Sequence, residues 1–192
     1  MRELVLMSAL MWCLCGCCEG YRVHMRRADG CTTRCNVRMV CEVTVRIRGK
    51  CTKKGTWQDI GCEQYRVRMR SALDVKTEWA ANDDSLVSCV QRDLSKQHAV
   101  VCLDVQGDEH TSESFSGLLY SLLQQGGSRV SVVIGGAEGL PDALRPKTGQ
   151  LSGRVRYVSL SRMTFPHELA RLILYEQLYR AVEIRKGTNY HK

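Results

Sequence analysis

Two almost uninterrupted apolar runs, Ala99-Val100-Val101-Cys102-Leu103 and Val130-Ser131-Val132-Val133-Ile134, restrict the fold more than any other feature of the chain. A strand with one wet face alternates apolar and polar residues. Apolar side chains at both parities need cover on both faces, which is the position of a parallel strand between two helix layers. Each run stops at residues that permit a sharp change of direction: Asp104 and Gly107 after the first, Gly135-Gly136 after the second.

The surrounding pattern extends this into an α/β order. Val43, Val45 and Ile47 alternate with Thr44, Arg46 and Arg48, which predicts a strand with one buried and one basic face, ended by Gly49-Lys50. A helix is expected from Trp57 to about Arg70, with Ile60, Tyr65 and Met69 on its buried side, and a strand from Asp74 to Ala80. The cluster Asn82-Asp83-Asp84-Ser85 caps a helix from Leu86 to about Gln97. A helix from Ser112 to Gln125, a short helix after Gly139, a strand near Val155 to Leu160 and a long helix from Pro166 to Ile184 complete the series. Strands alternating with helices give an α/β sheet with helices on both faces. Ligands of such sheets gather at the carboxyl ends of the strands, here the segments 103–107, 134–139 and 160–165.

Charge and cysteines bound the function. The chain of 192 residues carries a formal charge of +8, which favours a polyanionic partner without identifying one. Eight of the basic residues (Arg46, Arg48, Lys50, Lys53, Lys54, Arg66, Arg68, Arg70) lie between positions 46 and 70, against only Asp59 and Glu63. This region is expected to meet phosphates or to form a solvated basic face. Of 11 cysteines, eight (Cys13, Cys15, Cys17, Cys18, Cys31, Cys35, Cys41, Cys51) precede residue 52. Cys62, Cys89 and Cys102 stand singly and read as reduced thiols. No histidine or second Cys-x-x-Cys completes a zinc-type set around the early cysteines, so no metal site is expected.

Residues 1–38 differ from the rest. Leu4 to Cys18 has the length of a signal-peptide core and is too short to span a bilayer, so no stable membrane insertion is expected. Tyr21 to Arg38 carries five arginines and one acid, like an organelle transit sequence. Two readings stand. In one, the extension is an address segment for a plastid or mitochondrion. In the other it is a gene-start artefact, Met39 opens the core domain over residues 39–192, and the protein is cytoplasmic.

Taken alone, IGGAEGL at 134–140 is a glycine turn and Thr164-Phe-Pro-His-Glu168 is a helix start. In combination, IGGAEGL, SLSRMTFPHELARLILYEQLYRA and a KGTNYHK terminus resemble the RlmH family of ribosomal RNA pseudouridine N3-methyltransferases, with VTVRIRGK and VVCLDVQG as weaker echoes upstream. Ala137, where that family commonly has proline, and Asn189, where it has proline or alanine, depart from the pattern.

The resemblance implies a SPOUT fold with a C-terminal trefoil knot. It implies S-adenosylmethionine (SAM) held at Leu103, Gly135, Leu160, Ser161, Arg162, Met163, Thr164 and Phe165. It also implies a homodimer acting on large-subunit ribosomal RNA; because residues 39–192 leave no room for a separate RNA-binding domain, the assembled ribosome is the expected substrate. His167 and His191 are then the candidate proton acceptors, because histidine changes charge near neutrality. Tyr190 is a candidate to stack on the target base, and Arg180 to hold a phosphate or developing anion. The alternative function is a non-catalytic ribosome or RNA-binding protein on the same fold. A secreted cysteine-rich protein is disfavoured by the thiol-poor core.

Overall fold

A computed structural model of the chain describes residues 22–26, 32–36, 41–50, 55–145 and 153–192. The Leu4 to Cys18 run, Cys31 and Cys51 lie outside them. The chain divides into two units, residues 1–39 and 40–192. In the first, β1 (Arg22–Arg26) pairs antiparallel with β2 (Thr32–Asn36), Arg22 opposite Asn36.

The second unit is a five-stranded sheet. Its strands are β3 (Cys41–Arg48), β4 (Leu73–Ala80), β5 (Ala99–Glu109), β6 (Arg129–Ile134) and β7 (Val155–Ser159). They run in the spatial order β4-β3-β6-β5-β7, and every neighbouring pair is parallel. Helices α1 (Trp57–Met69), α2 (Asp83–Ser95) and α3 (Ser112–Gln125) supply the crossovers from β3 to β6, a 3-10 turn at Asp142–Leu144 lies between β6 and β7, and α4 (His167–Lys186) follows β7.

The two apolar runs are apolar because both sheet faces are dry. On one face Val101, Val132 and Ile134 join Val43, Val45 and Ile47 under α1, α3 and α4, packed on Leu119, Leu122, Leu174, Tyr175 and Leu178. On the other, Val100, Cys102 and Val133 meet Leu86 and Val90 of α2 together with Leu140 and Leu144. A fully buried side chain of this size contributes roughly 1.5–3 kcal/mol, so these clusters dominate the stability of the sheet.

Local signals set the helix ends. The Thr56 and Thr111 hydroxyls cap α1 and α3 by accepting from the Asp59 and Ser114 amides. Asn82 and Ser85 form a reciprocal capping box, so α2 begins at Asp83 rather than at the first apolar residue, Leu86. Gly187, at φ 67°, ends α4 in the left-handed region.

Two expectations need correction. The alternating residues of β3 do not make an exposed basic face: Arg46 is 6% exposed and sits beneath α2, against Asp93, which is 3% exposed. Its Nε and Nη2 donate to the Asp93 carboxylate at 2.6 and 2.8 Å, Ser131 Oγ donates to the same carboxylate at 2.6 Å, and Nη1 reaches Glu78. A parallel strand covered on both faces leaves no wet side, so the charge is paired instead of solvated. On α1, Met69 is buried as expected but Ile60 is 54% exposed, because Cys62, not Ile60, faces the sheet.

β5 continues past the expected Leu103 to Glu109. Both Leu103 and Asp108 register against Val158 of β7, so residues 104–107 form a bulge. A Cβ on Gly107 would stand 2.6 Å from the Val158 amide nitrogen, which fixes glycine there.

Candidate active site

The carboxyl ends of β5, β6 and β7 enclose a pocket of about 500 Å³. The β5 bulge supplies Leu103, Asp104 and Val105; the turn after β6 supplies Gly135, Gly136, Ala137, Gly139 and Leu140; the segment after β7 supplies Leu160, Ser161, Met163, Thr164 and Phe165. The start of α4 closes the floor with His167 and Ala170. Of the residues expected to hold a cofactor, all but Arg162 line this space. Arg162 points away and pairs with Glu109 at 2.6 Å, both side chains being largely exposed.

The turn after β6 is locked. Gly136 and Gly139 exchange two backbone hydrogen bonds of 3.1 Å, and Gly139 sits at φ 84°. A Cβ on Gly135 would meet the Gly139 carbonyl oxygen at 2.2 Å, so no side chain is possible without moving the turn. Arg145 clasps it from outside, Nε donating to the Leu140 carbonyl at 3.0 Å and Nη2 to the Glu138 carbonyl at 3.3 Å. The segment after β7 is braced by Ser159 Oγ donating to the Ser161 carbonyl and the Met163 amide donating to Ser161 Oγ.

His167 has no hydrogen-bond partner among the described residues; its ring stands edge-on to Trp79, centroids 6.1 Å apart. Beneath Trp79 lies the Arg171 guanidinium, 5.3 Å from the ring centroid and almost fully buried. Arg171 Nη2 donates to Asp59 at 2.5 Å, tying α4 to the first turn of α1, while its Nε has no hydrogen-bond partner among the described residues. Burial works to raise the Asp59 carboxyl, but hydrogen bonds from Arg171 and Thr56 outweigh it and hold the group below its ordinary range.

The other three expected catalytic residues gather elsewhere. Thirteen residues along α4 from His167, about 20 Å at the helical rise, Arg180 pairs with Glu176 at 2.7 Å. Its guanidinium lies 4.9 Å from the Tyr190 ring centroid, and the Tyr190 hydroxyl donates to Glu176 at 3.1 Å. Burial, then the Glu176 charge, pushes the Tyr190 phenol up to about 12. His191 contacts Arg180 Nη1 through Nδ1 at 3.3 Å and Glu113 of α3 through Nε2 at 2.6 Å.

The family described as a predicted SPOUT methyltransferase matches residues 42–191, which takes in the pocket, α4 and the tail. The chain belongs to the SPOUT methyltransferase family. Proteins named ribosomal RNA large subunit methyltransferase H are similar to it along most of their length. The one from Protochlamydia amoebophila is 39% identical over 139 residues, 72% of this chain and 91% of its own. That from Oleidesulfovibrio alaskensis is 35% identical over 150 residues, covering 72% and 92%. A Synechococcus protein is 39% identical over 138 residues, covering 71% and 88%.

Membership of the SPOUT family implies a methyl-donor cofactor, and the pocket fits one. Its volume lies within the usual 300–1,000 Å³ of small-molecule sites, its walls are mainly apolar, and the glycine turn presents bare backbone. Asp104 is the only carboxylate among the lining residues, a counter-charge for a cationic sulfonium or ammonium. Among the described residues no group of three or more His, Cys, Asp or Glu could hold a metal ion, and no helix is long and apolar enough to cross a membrane. Sequence reasoning missed Trp79, Arg171, Asp59 and Glu113. Asp59, Glu113 and Arg171 lie on helices, and Trp79 lies next to the end of β4, whose carboxyl end was not among the three loops expected to hold a ligand, so only packing reveals them. Asp104 had been marked by its place after the apolar run.

Proposed function

We propose that this SPOUT methyltransferase uses SAM to methylate N3 of a pseudouridine in large-subunit ribosomal RNA, as a homodimer whose C-terminal segment is threaded as a trefoil knot. The observation that carries the reading is the convergence of the IGGAEGL and SLSRMTFPH segments on one pocket, within a chain whose relatives are named for large-subunit ribosomal RNA methylation.

SAM would lie against Leu103, the Gly135 turn and residues 160–165, and when bound it supplies a methyl group already activated on a sulfonium. The chain's own work is alignment and proton handling. Rigid turns at residues 135–140 and 159–163 hold the pocket in one shape, and in the best systems such pre-positioning contributes up to about 7–11 kcal/mol. His167, at the pocket floor with both ring nitrogens free of hydrogen-bond partners among the described residues, accepts the imide proton of the target base. Trp79 limits the rotation of that ring.

A dimer is supported by the separation along α4. The Arg180, Tyr190 and His191 group is about three and a half turns from His167, and a second copy would carry its own group to this pocket. The apolar side chains Trp57, Ile60 and Val67, exposed at helical spacing on α1 beside α4, are suited to burial by that copy. Arg68 and Arg70, beyond them, are available for RNA phosphates.

Mass spectrometry of large-subunit ribosomal RNA from cells with and without the protein tests the reading. Loss of one N3-methylpseudouridine is expected; an unchanged modification profile refutes it. Calorimetric titration with SAM separates the enzyme from a non-catalytic RNA-binding protein, which would bind none at millimolar ligand.

A further inference from the structure

His191 is held from two sides by groups of opposite hydrogen-bonding character. Glu113 is a carboxylate and can only accept, so the hydrogen on the imidazole must sit on Nε2, which faces it at 2.6 Å. Arg180 can only donate, so Nδ1, 3.3 Å from Nη1, must carry the lone pair. One neutral tautomer satisfies both contacts, and it leaves neither ring nitrogen free to take a proton from a substrate. The Arg180 guanidinium is in turn fixed by Glu176 on its other side, through Nε and Nη2 at 3.0 and 2.7 Å.

We propose that Glu113, on the first turn of α3, is a positioning residue that locks the His191 tautomer and, through His191, aims the Arg180 guanidinium at the nucleoside being methylated. This rests on the methyltransferase reading above. Glu113 lies outside the pocket; elsewhere α3 meets α4 through apolar packing, the Ser112 to Gln177 and Ser116 to Ala181 carbonyl hydrogen bonds, and the Arg185 guanidinium over the Tyr120 ring, 5.0 Å from its centroid. The His191 contact, followed by bonds from its own backbone and Thr111, also holds the Glu113 carboxyl down at about 2, so the acceptor stays charged across any working pH.

The test uses the full chain and two variants, Glu113→Ala and Glu113→Gln. The glutamine keeps an oxygen that accepts from Nε2; the alanine does not. Long-range proton–nitrogen spectra of 15N-labelled protein, with the His191 signals assigned from a His191→Gln sample, read the tautomer directly. Turnover is measured on large ribosomal subunits lacking the modification. Glu113→Ala is expected to lose the single Nε2–H tautomer and to lower kcat about tenfold, the size of one charge-assisted hydrogen bond, with the KM for SAM unchanged. Glu113→Gln is expected to restore both. Wild-type kcat in Glu113→Ala, or unmoved His191 nitrogen shifts, overturns the proposal. An inactive wild type would instead refute the methylation reading, and the spectra alone would then decide whether Glu113 sets the tautomer.

Discussion

Substituting Gly135 by alanine tests whether the turn after β6 is the cofactor cradle. The new Cβ would stand 2.2 Å from the Gly139 carbonyl oxygen, 2.3 Å from its carbon and 2.6 Å from the Leu140 nitrogen, all backbone atoms. Relief needs a displacement of about 1 Å or more, since ordinary Cβ contacts lie near the carbon van der Waals distance. That movement breaks the paired Gly136–Gly139 hydrogen bonds, while the flexible Arg145 side chain can follow the Leu140 and Glu138 carbonyls. Two neutral hydrogen bonds at about 1 kcal/mol each give about 2 kcal/mol. Charged wholly to the bound state, this is a loss of about thirtyfold in SAM affinity; charged to folding, it lowers Tm by about 4–8 °C. Calorimetric titration with SAM and thermal unfolding distinguish the two. Gly153→Ala, with open space around its Cβ, is the neutral control. A Gly135→Ala protein that binds SAM with wild-type affinity would refute the cradle.

The other predictions concern the buried charge and the tail. Asp93→Ala leaves Arg46 buried beside only the partly exposed Glu78 and should cost about 3–5 kcal/mol in urea unfolding; a loss below 1 kcal/mol would mean that water reaches the site. Burial opposes ionisation of Asp93, but bonds from Arg46 and Ser131 outweigh it, so the folded pKa lies below the ordinary 3.8. The pair's contribution is therefore complete above about pH 4–5 and fades as pH falls through the lowered native value, a slope that Asp93→Asn should lack. Deleting Tyr190 to Lys192 should abolish methylation and leave the Kd for SAM unchanged; normal turnover would remove the tail from the reaction. Mixing that truncated chain with Gly135→Ala should regain activity if each site combines two copies, and no recovery on mixing would count against the shared site.

Most of the sheet was legible because its strands are buried on both faces, which writes an unusual pattern into Ala99–Leu103 and Val130–Ile134. The pocket followed from the same fact, since strand ends in a covered sheet are where backbone is free to meet a ligand. Arg46 was misread for the converse reason. In β3 a charged residue between Val45 and Ile47 looks like a wet face, and only the distant Asp93 and Ser131, 47 and 38 positions apart from their partners in the network, make it a buried one. The bulge in β5 was likewise hidden: Gly107 was visible, but the repeated registration of Leu103 and Asp108 on Val158 depends on a strand 50 residues later. Periodicity carried no sign of a knot or a cofactor, and the charge of +8 pointed to a polyanion without naming one. The expectations of a knot, of SAM and of ribosomal RNA came from the family resemblance.

The division of the expected catalytic residues into two groups has a mechanical cause in α4. Its central residues Leu174, Tyr175, Leu178, Ala181 and Val182 are buried against the sheet and the flanking helices, and the Tyr175 hydroxyl is hydrogen-bonded to Thr77 of β4 at 2.8 Å. A helix held along its length cannot bend to bring its ends together, because a kink would break its ladder and open that core. His167 is thus fixed at the pocket by one end, and Arg180 with the tail is fixed on α3 by the other. The spacing of the two groups could be counted from the sequence. That the spacing is rigid follows only from the packing, and that rigidity is the ground on which a second copy of the chain is proposed to complete the site.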